Sequence, residues 1–258
     1  MITLVGDIGN TLTKVSVIET KTLKLKKTIY LKSNKVESFK YLNSNFNKIL
    51  SNKKINKYAL FSSVVPKYYL KLKKFIKQKY KIKLIELKDK KIKKIVRINV
   101  KNINQVGSDR IANAVGVFKK YKSNCIVLDF GTATTFDVVT KNGTYNGGII
   151  APGVNLSMKS LINSADQIPI FSIKKRNKII GKNTIDALRS GFYWGYSGLI
   201  NSIIFKIEKE TKKKYKIIFT GGYANLFKGT IVRTFVVDKN ITIKGIIEIF
   251  KENRGILI

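Results

Sequence analysis

One short pattern occurs twice in this chain, and it constrains the fold more than any other feature. Val5-Gly6-Asp7-Ile8-Gly9-Asn10-Thr11-Leu12-Thr13 is matched 122 positions later by Val127-Leu128-Asp129-Phe130-Gly131-Thr132-Ala133-Thr134-Thr135. Asp falls on Asp, Gly on Gly, and Thr13 on Thr135. Each copy follows an apolar strand-like run and leads into β-branched residues, so each reads as a β-hairpin with Asp-x-Gly at its turn. Two copies predict two related halves, residues 1–118 and 123–258. Strands followed by helices in both halves predict an α/β chain.

The rest of the pattern fits this frame. Tyr69, Leu70, Leu72, Phe75 and Ile76 recur at helical spacing, and a strand is expected around Lys83–Leu87. In the second half a hairpin partner is expected over Thr144–Ile150, then a helix over Asn155–Asn163. A longer helix should run from Thr184 to Thr211, with a buried strand at Ile217–Phe219 and a last helix over Ile243–Glu252.

Composition excludes several chemistries. The chain has no histidine, so a Ser-His-Asp or Cys-His triad, a His-ligated zinc and an imidazole base are all ruled out. Cys125, the one cysteine, lies in an apolar run and reads as a core residue, and no internal disulfide can form. Lys and Arg number 51 against 15 Asp and Glu, a formal charge of +36. That balance would suit a nucleic-acid binder. However, only six of the basic residues are Arg, the residue that makes bidentate phosphate and guanine contacts. We therefore read the charge as a solvated lysine surface and expect no specific nucleic-acid partner. No apolar run is long enough to cross a membrane, and no leader-like segment opens the sequence, so a cytoplasmic location is expected.

With eight Asp in the whole chain, their positions carry information. Asp7, Asp109, Asp129 and Asp137 sit in or beside Gly- and Thr-rich turns. In such a turn the glycine lets the backbone approach a phosphate, and N–H and hydroxyl groups donate to it. The carboxylate can hold a hydrated Mg²⁺. Asp109, in Gly107-Ser108-Asp109-Arg110 before an apolar helical pattern, reads locally either as a helix N-cap or as a general base with Arg110 as an anion clamp. Thr220-Gly221-Gly222 reads as a strand-end turn or as a glycine turn admitting an adenine ring.

These pieces occur in a set order. After Asp7–Thr11 come Ser63-Val64-Val65-Pro66, Gly107–Arg110, Asp129–Thr135 and Gly147-Gly148-Ile149-Ile150-Ala151-Pro152-Gly153. Gly181-Lys182-Asn183-Thr184, Thr220-Gly221-Gly222, Asp238, Thr242, Gly245 and Asn253 complete it. The ordered set resembles the type III pantothenate kinases, in the acetate kinase/sugar kinase/Hsp70/actin superfamily. The resemblance runs nearly end to end and is weakest over residues 20–100. It implies two ribonuclease-H-like (actin-like ATPase) domains with an interdomain ATP cleft, and a homodimer. It implies transfer of the ATP γ-phosphoryl to the primary hydroxyl of pantothenate, with Mg²⁺ and a monovalent cation (K⁺ or NH₄⁺).

Carried over by residue, the resemblance makes Asp7, Ile8, Gly9, Asn10, Thr11, Leu12, Thr13 and Lys14 the first phosphate loop. Asp109 becomes the proton acceptor, and Gly107, Ser108 and Arg110 contact pantothenate. Asp129 binds the monovalent cation, Thr132 contacts ATP, and Thr184 reaches pantothenate from a partner subunit. Two departures stand out. Ser108 replaces a frequent Ala, and Val100 stands where the family often has a Tyr near pantothenate, with Ile103 near a frequent Pro.

Overall fold

A computed structural model describes residues 1–50, 53–230 and 234–258. In chain order the first elements are β1 (Ile2–Ile8), β2 (Leu12–Glu19), β3 (Leu25–Lys32), α1 (Phe39–Leu50), β4 (Tyr58–Ser63), α2 (Pro66–Tyr80), β5 (Lys83–Glu86), β6 (Arg97–Ile98) and α3 (Ser108–Tyr121). Then come β7 (Cys125–Phe130), β8 (Ala133–Val139), β9 (Thr144–Pro152), α4 (Val154–Ser164), α5 (Thr184–Thr211), β10 (Lys216–Gly221), α6 (Ala224–Phe227) and β11 (Phe235–Val237). The chain closes with α7 (Ile241–Glu252) and α8 (Arg254–Leu257).

The chain forms two compact units. One comprises Met1–Lys120, Gly143–Tyr145 and Asn240–Ile258; the other comprises Tyr121–Asn142 and Asn146–Lys239. The units are thus not consecutive halves, because the last helices return to the first one. There α7 packs on β1 and β4, and the Thr242 hydroxyl donates to Asn113 Oδ1 on α3 at 2.8 Å.

The first unit's sheet has the order β3-β2-β1-β4-β5. The strands β1, β2 and β3 form an antiparallel meander, while β4 and β5 run parallel to β1. The other sheet has the order β6-β9-β8-β7-β10-β11; its strands β9 to β11 repeat the same arrangement, with β7 antiparallel to β8 and parallel to β10, and β6 adds an edge strand parallel to β9. The duplication seen in the motifs is therefore a duplication of topology.

Local physics explains the elements. α2 starts at Pro66, whose missing N–H costs nothing at a first helical position. It buries Leu72, Phe75 and Ile76 at helical spacing and ends at Lys81 in the left-handed region. Together with Leu4, Ile8, Val15, Val17, Phe46 and Phe61 these residues make the first core. The lysines of α2 stay on its wet face. The 28-residue α5 lays Tyr193, Tyr196, Ile200 and Ile204 over Leu128, Phe130, Phe136 and Phe219 in the second core. Cys125 is buried in β7, and burial pushes its thiol above its ordinary value, as suits an inert core residue.

The two repeats differ in register. Asp7 stands opposite Lys14, and Ile8 opposite Thr13. In the second hairpin Asp129 stands opposite Thr135, and Phe130 opposite Thr134. The positional counterpart of Thr13 is therefore Thr134, not Thr135 as the sequence alignment suggests. The second turn is one residue shorter.

Candidate active site

Asp7 occupies the penultimate position of β1, on the face shared by Lys14 of β2 and Ser62 of β4. The turn that follows closes with Gly9 N donating to Leu12 O at 3.1 Å. Asn10, Thr11 and Leu12 are exposed, whereas Ile8 and Thr13 are fully buried. Thr13 Oγ1 shares a 2.9 Å hydrogen bond with Ser33 Oγ in the interior. Of the predicted phosphate loop, Asp7 and Lys14 thus share one face and Asn10 and Thr11 crown it. Ile8 and Thr13 contribute side chains to the core instead.

α3 presents the second carboxylate. It begins at Ser108, so Asp109 lies inside the first turn rather than at the cap. Its Oδ1 accepts from the Arg110 amide at 2.8 Å. The carboxylate folds back over Gly107: a Cβ there would lie 2.4 Å from Asp109 Oδ1, so a side chain at this position would displace the carboxylate. Burial raises the affinity of Asp109 for a proton above that of an ordinary Asp, and the amide and charge of Arg110 offset part of the rise. The Arg110 guanidinium lies 5.8 Å from the Tyr145 ring centroid, within cation–π range. Tyr145 is itself buried. Val100 and Ile103 lie on the connection between β6 and α3, half-buried and exposed respectively.

Ser108 is buried, and its hydroxyl is committed to β4. It donates to Ser63 O at 2.8 Å, accepts from Ser63 N at 2.8 Å and lies 3.1 Å from Ser62 Oγ. Ser62 in turn is the register partner of Asp7. The start of α3 is thereby tied to the strand beside β1.

In the second unit Asp129 lies at the end of β7, in register with Thr135 on one side and Thr220 on the other. Thr220 Oγ1 is fully buried and has no hydrogen-bond partner. Thr220-Gly221-Gly222 forms a strand-end turn. Gly221 has φ +85°, and a Cβ there would fall 2.7 Å from Asp129 Oδ1. Thr132 is exposed on the hairpin turn. Thr184, the first residue of α5, is exposed on the rim of an apolar groove of about 670 Å³ between α4 and α5. Among the described residues no cluster of three or more His, Cys, Asp or Glu could hold a metal by itself.

Sequence reasoning passed over three participants: Tyr145 beneath Arg110, Ser62 behind Ser108, and Lys88, described below. Each comes from a different strand or strand end, so no local spacing announces it.

Two sheets that share this five-strand order, the second extended by β6, each with an Asp-x-Gly hairpin at its centre, define the fold class of actin-like ATPases and sugar kinases. Solved structures agree on the fold. One described as a Baf family transcriptional activator from Campylobacter jejuni aligns with TM-score 0.62 at 23% identity, over 98% of this chain and 100% of that one. The activator of 2-hydroxyisocaproyl-CoA dehydratase from Clostridium difficile, with bound ADPNP, aligns with TM-score 0.57 at 13% identity, covering 99% and 96%. Sequence comparison narrows the class. A family model described as type III pantothenate kinase matches residues 3–206. A type III pantothenate kinase from Pelagibacter ubique is 50% identical over 95% of this chain and 96% of its own length. Another from Hyphomonas neptunium is 37% identical over 76% and 77%. The chain belongs to the type III pantothenate kinase family: it is a phosphotransferase that uses ATP to convert pantothenate to 4'-phosphopantothenate, the first step of coenzyme A synthesis.

Proposed function

We propose that Asp109 is the proton acceptor of this reaction. The observation that carries the assignment is a largely buried carboxylate with raised proton affinity, fixed in the first turn of α3 beside Arg110. The pantothenate hydroxyl oxygen attacks the γ-phosphorus, the bond to the β–γ bridging oxygen breaks, and ADP leaves. The hydroxyl proton passes to Asp109 Oδ. Phosphoryl transfer needs chiefly positioning and charge neutralisation, so a carboxylate suffices and the missing histidine costs nothing.

Gly107, Ser108 and Arg110 border the pantothenate site with Val100, Ser108 offering only its backbone because its hydroxyl is engaged. Asp7, Asn10, Thr11 and Lys14 face the phosphates, with Ile8, Gly9, Leu12 and Thr13 shaping the loop; Thr132 serves ATP from the second hairpin. Each compact unit is read as one ribonuclease-H-like domain, in place of the expected division into residues 1–118 and 123–258.

The oxygen-rich surroundings of Asp129, including the buried unpartnered Thr220 hydroxyl, suit an alkali cation. Asp129 with Thr220 would hold K⁺ or NH₄⁺, and Asp7 a hydrated Mg²⁺; when bound, these ions neutralise triphosphate charge. A homodimer formed over the apolar α4–α5 groove would place Thr184 at a neighbour's pantothenate site. The enzyme works in the cytoplasm on small anionic substrates, with no specific nucleic-acid partner and no membrane. Among the described residues no helix is long and apolar enough to span one.

The test is ADP release coupled to pantothenate. Asp109→Asn is expected to lose about a hundredfold or more of kcat while staying folded. A near-wild-type rate in this variant would remove the base assignment. The pH profile follows the same sign. Because the folded carboxyl holds its proton to higher pH than a free Asp, activity should fall on acidification at a pH above the ordinary value of 3.8. Stability moves the other way. The folded state binds the extra proton between 3.8 and the raised value, so stability declines as pH rises through that window, and Asp109→Asn abolishes the decline.

A further inference from the structure

The segment that carries Asp109 is held at two points by residues with no role in the chemistry. β5 ends at Glu86, and Leu87 N still donates to Phe61 O at 2.8 Å, so the chain remains fixed just beyond the strand. At the next residue the Glu86 carboxylate turns back, and Oε2 accepts from Lys88 N at 2.5 Å. This sets the direction of the Lys88 side chain. Its Nζ donates to Asn104 O at 2.9 Å and to Val106 O at 3.1 Å. Those carbonyls belong to the middle and the C-cap of the 3₁₀ turn Ile103–Gln105, whose start is capped by Asn102 Oδ1 accepting from Asn104 N. A cation there answers carbonyls that the turn leaves unpaired.

Only Gly107 lies between Val106 and Ser108. Ser108 Oγ is anchored to both backbone groups of Ser63. Gly107 is the residue type with the greatest backbone freedom. The Lys88 bond before it and the Ser108 bonds after it remove that freedom, and Asp109 follows directly. Burial raises the proton affinity of the Glu86 carboxyl, and the Lys88 amide and charge lower it part of the way back.

We propose that Lys88, steered by Glu86, is a positioning residue that clamps the Asn104–Val106 turn and, together with the Ser108 anchor, sets where the Gly107–Arg110 segment presents Asp109 and the pantothenate contacts. The proposal rests on the assignment of that segment to pantothenate. Misplacing a reacting group by a fraction of an ångström to an ångström costs catalysis far more than it costs folding.

Lys88 is exposed, so Lys88→Met removes the ammonium without opening a core. In the full-length enzyme kcat/KM for pantothenate should fall about tenfold, while KM for ATP stays within about twofold. Lys88→Arg, which can donate to both carbonyls, should recover most of the loss. The unfolding midpoint should be unchanged. A rise in KM for ATP as large as the loss toward pantothenate, or wild-type kinetics for both substrates, overturns the clamp. If Lys88→Met does not fold, Ser108→Ala carries the same test with a smaller expected loss of about threefold. Asp109→Asn assayed in parallel separates the two claims. An inactive Asp109→Asn with a wild-type Lys88→Met sinks the clamp and leaves the base standing. An active Asp109→Asn beside a pantothenate-specific Lys88→Met defect sinks the base and supports the clamp as a substrate-positioning device.

Discussion

In the first hairpin the turn Gly9–Leu12 separates the paired residues Ile8 and Thr13; in the second, the shorter turn Gly131–Ala133 separates Phe130 and Thr134. Side chains in a strand alternate between faces, so a one-residue difference decides which residue stands across from each aspartate. Asp7 gets Lys14, while Asp129 gets Thr135 and, from β10, Thr220. One repeat sets its aspartate across from a lysine; the other sets its aspartate between threonines. On the proposed roles, the first pairing suits phosphate charge and the second, with threonines on both sides, suits a cation. Turn length sets that difference between the two copies.

The largest effects should come from the aspartates themselves. Asp129→Asn is expected to cut turnover in K⁺ about a hundredfold and to abolish the difference between K⁺ and Na⁺ buffers. Asp7→Asn should cut turnover by a similar amount but preserve the K⁺/Na⁺ ratio of whatever activity remains. If instead the ratio disappears in Asp7→Asn and survives in Asp129→Asn, the division of labour is reversed.

A smaller effect is expected from the residues across from them. Lys14→Met should raise KM for ATP about tenfold, the loss of one charge-assisted phosphate contact, with little change in K⁺ response. Thr135→Val should leave KM for ATP within about twofold and raise the K⁺ concentration needed for half-maximal activation a few fold. Steady-state titrations of ATP and of K⁺ read both, and matching profiles for the two variants would erase the distinction.

How much of this was legible beforehand depends on where the information sits. The hairpins, α2, α4 and the full span of α5 follow from local periodicity and turn chemistry. Asp7, Asp109 and Asp129 stand out because carboxylates are rare in this chain. The register was not legible, because an ungapped alignment pairs Thr13 with Thr135 and cannot feel hydrogen bonds. The return of Asn240–Ile258 to the first unit was missed for a related reason: its motif residue Thr242 answers Asn113, 129 positions away. Lys88 looked like one more lysine among fourteen in residues 67–101; only the fold brings it to Asn104 and Val106. Ser108 stood out only as the replacement of a frequent Ala, since Ser62 and Ser63 lie 45 or more positions away.

The smallest effect tests the register itself. Thr13 and Thr134 are both fully buried on the core faces of their strands, opposite Ile8 and Phe130. Their hydroxyls differ in circumstance. Thr13 Oγ1 bonds Ser33 Oγ at 2.9 Å, whereas Thr134 Oγ1 has no partner. Removing a hydroxyl from a bonded pair strands the other, at a cost of about 1–2 kcal/mol. Removing an unpartnered one in favour of a methyl gives up nothing and deletes a desolvated polar atom. Thr13→Val should therefore destabilise the protein by about 1–2 kcal/mol, and Thr134→Val should be neutral or slightly stabilising. Denaturant midpoints at fixed m-value would decide it. Were Thr135, the counterpart by sequence alignment, the core residue, Thr135→Val would be the stabilising change and Thr134→Val the one that alters the K⁺ response. That outcome would give the second hairpin the register of the first and remove the turn-length difference on which the two proposed roles rest.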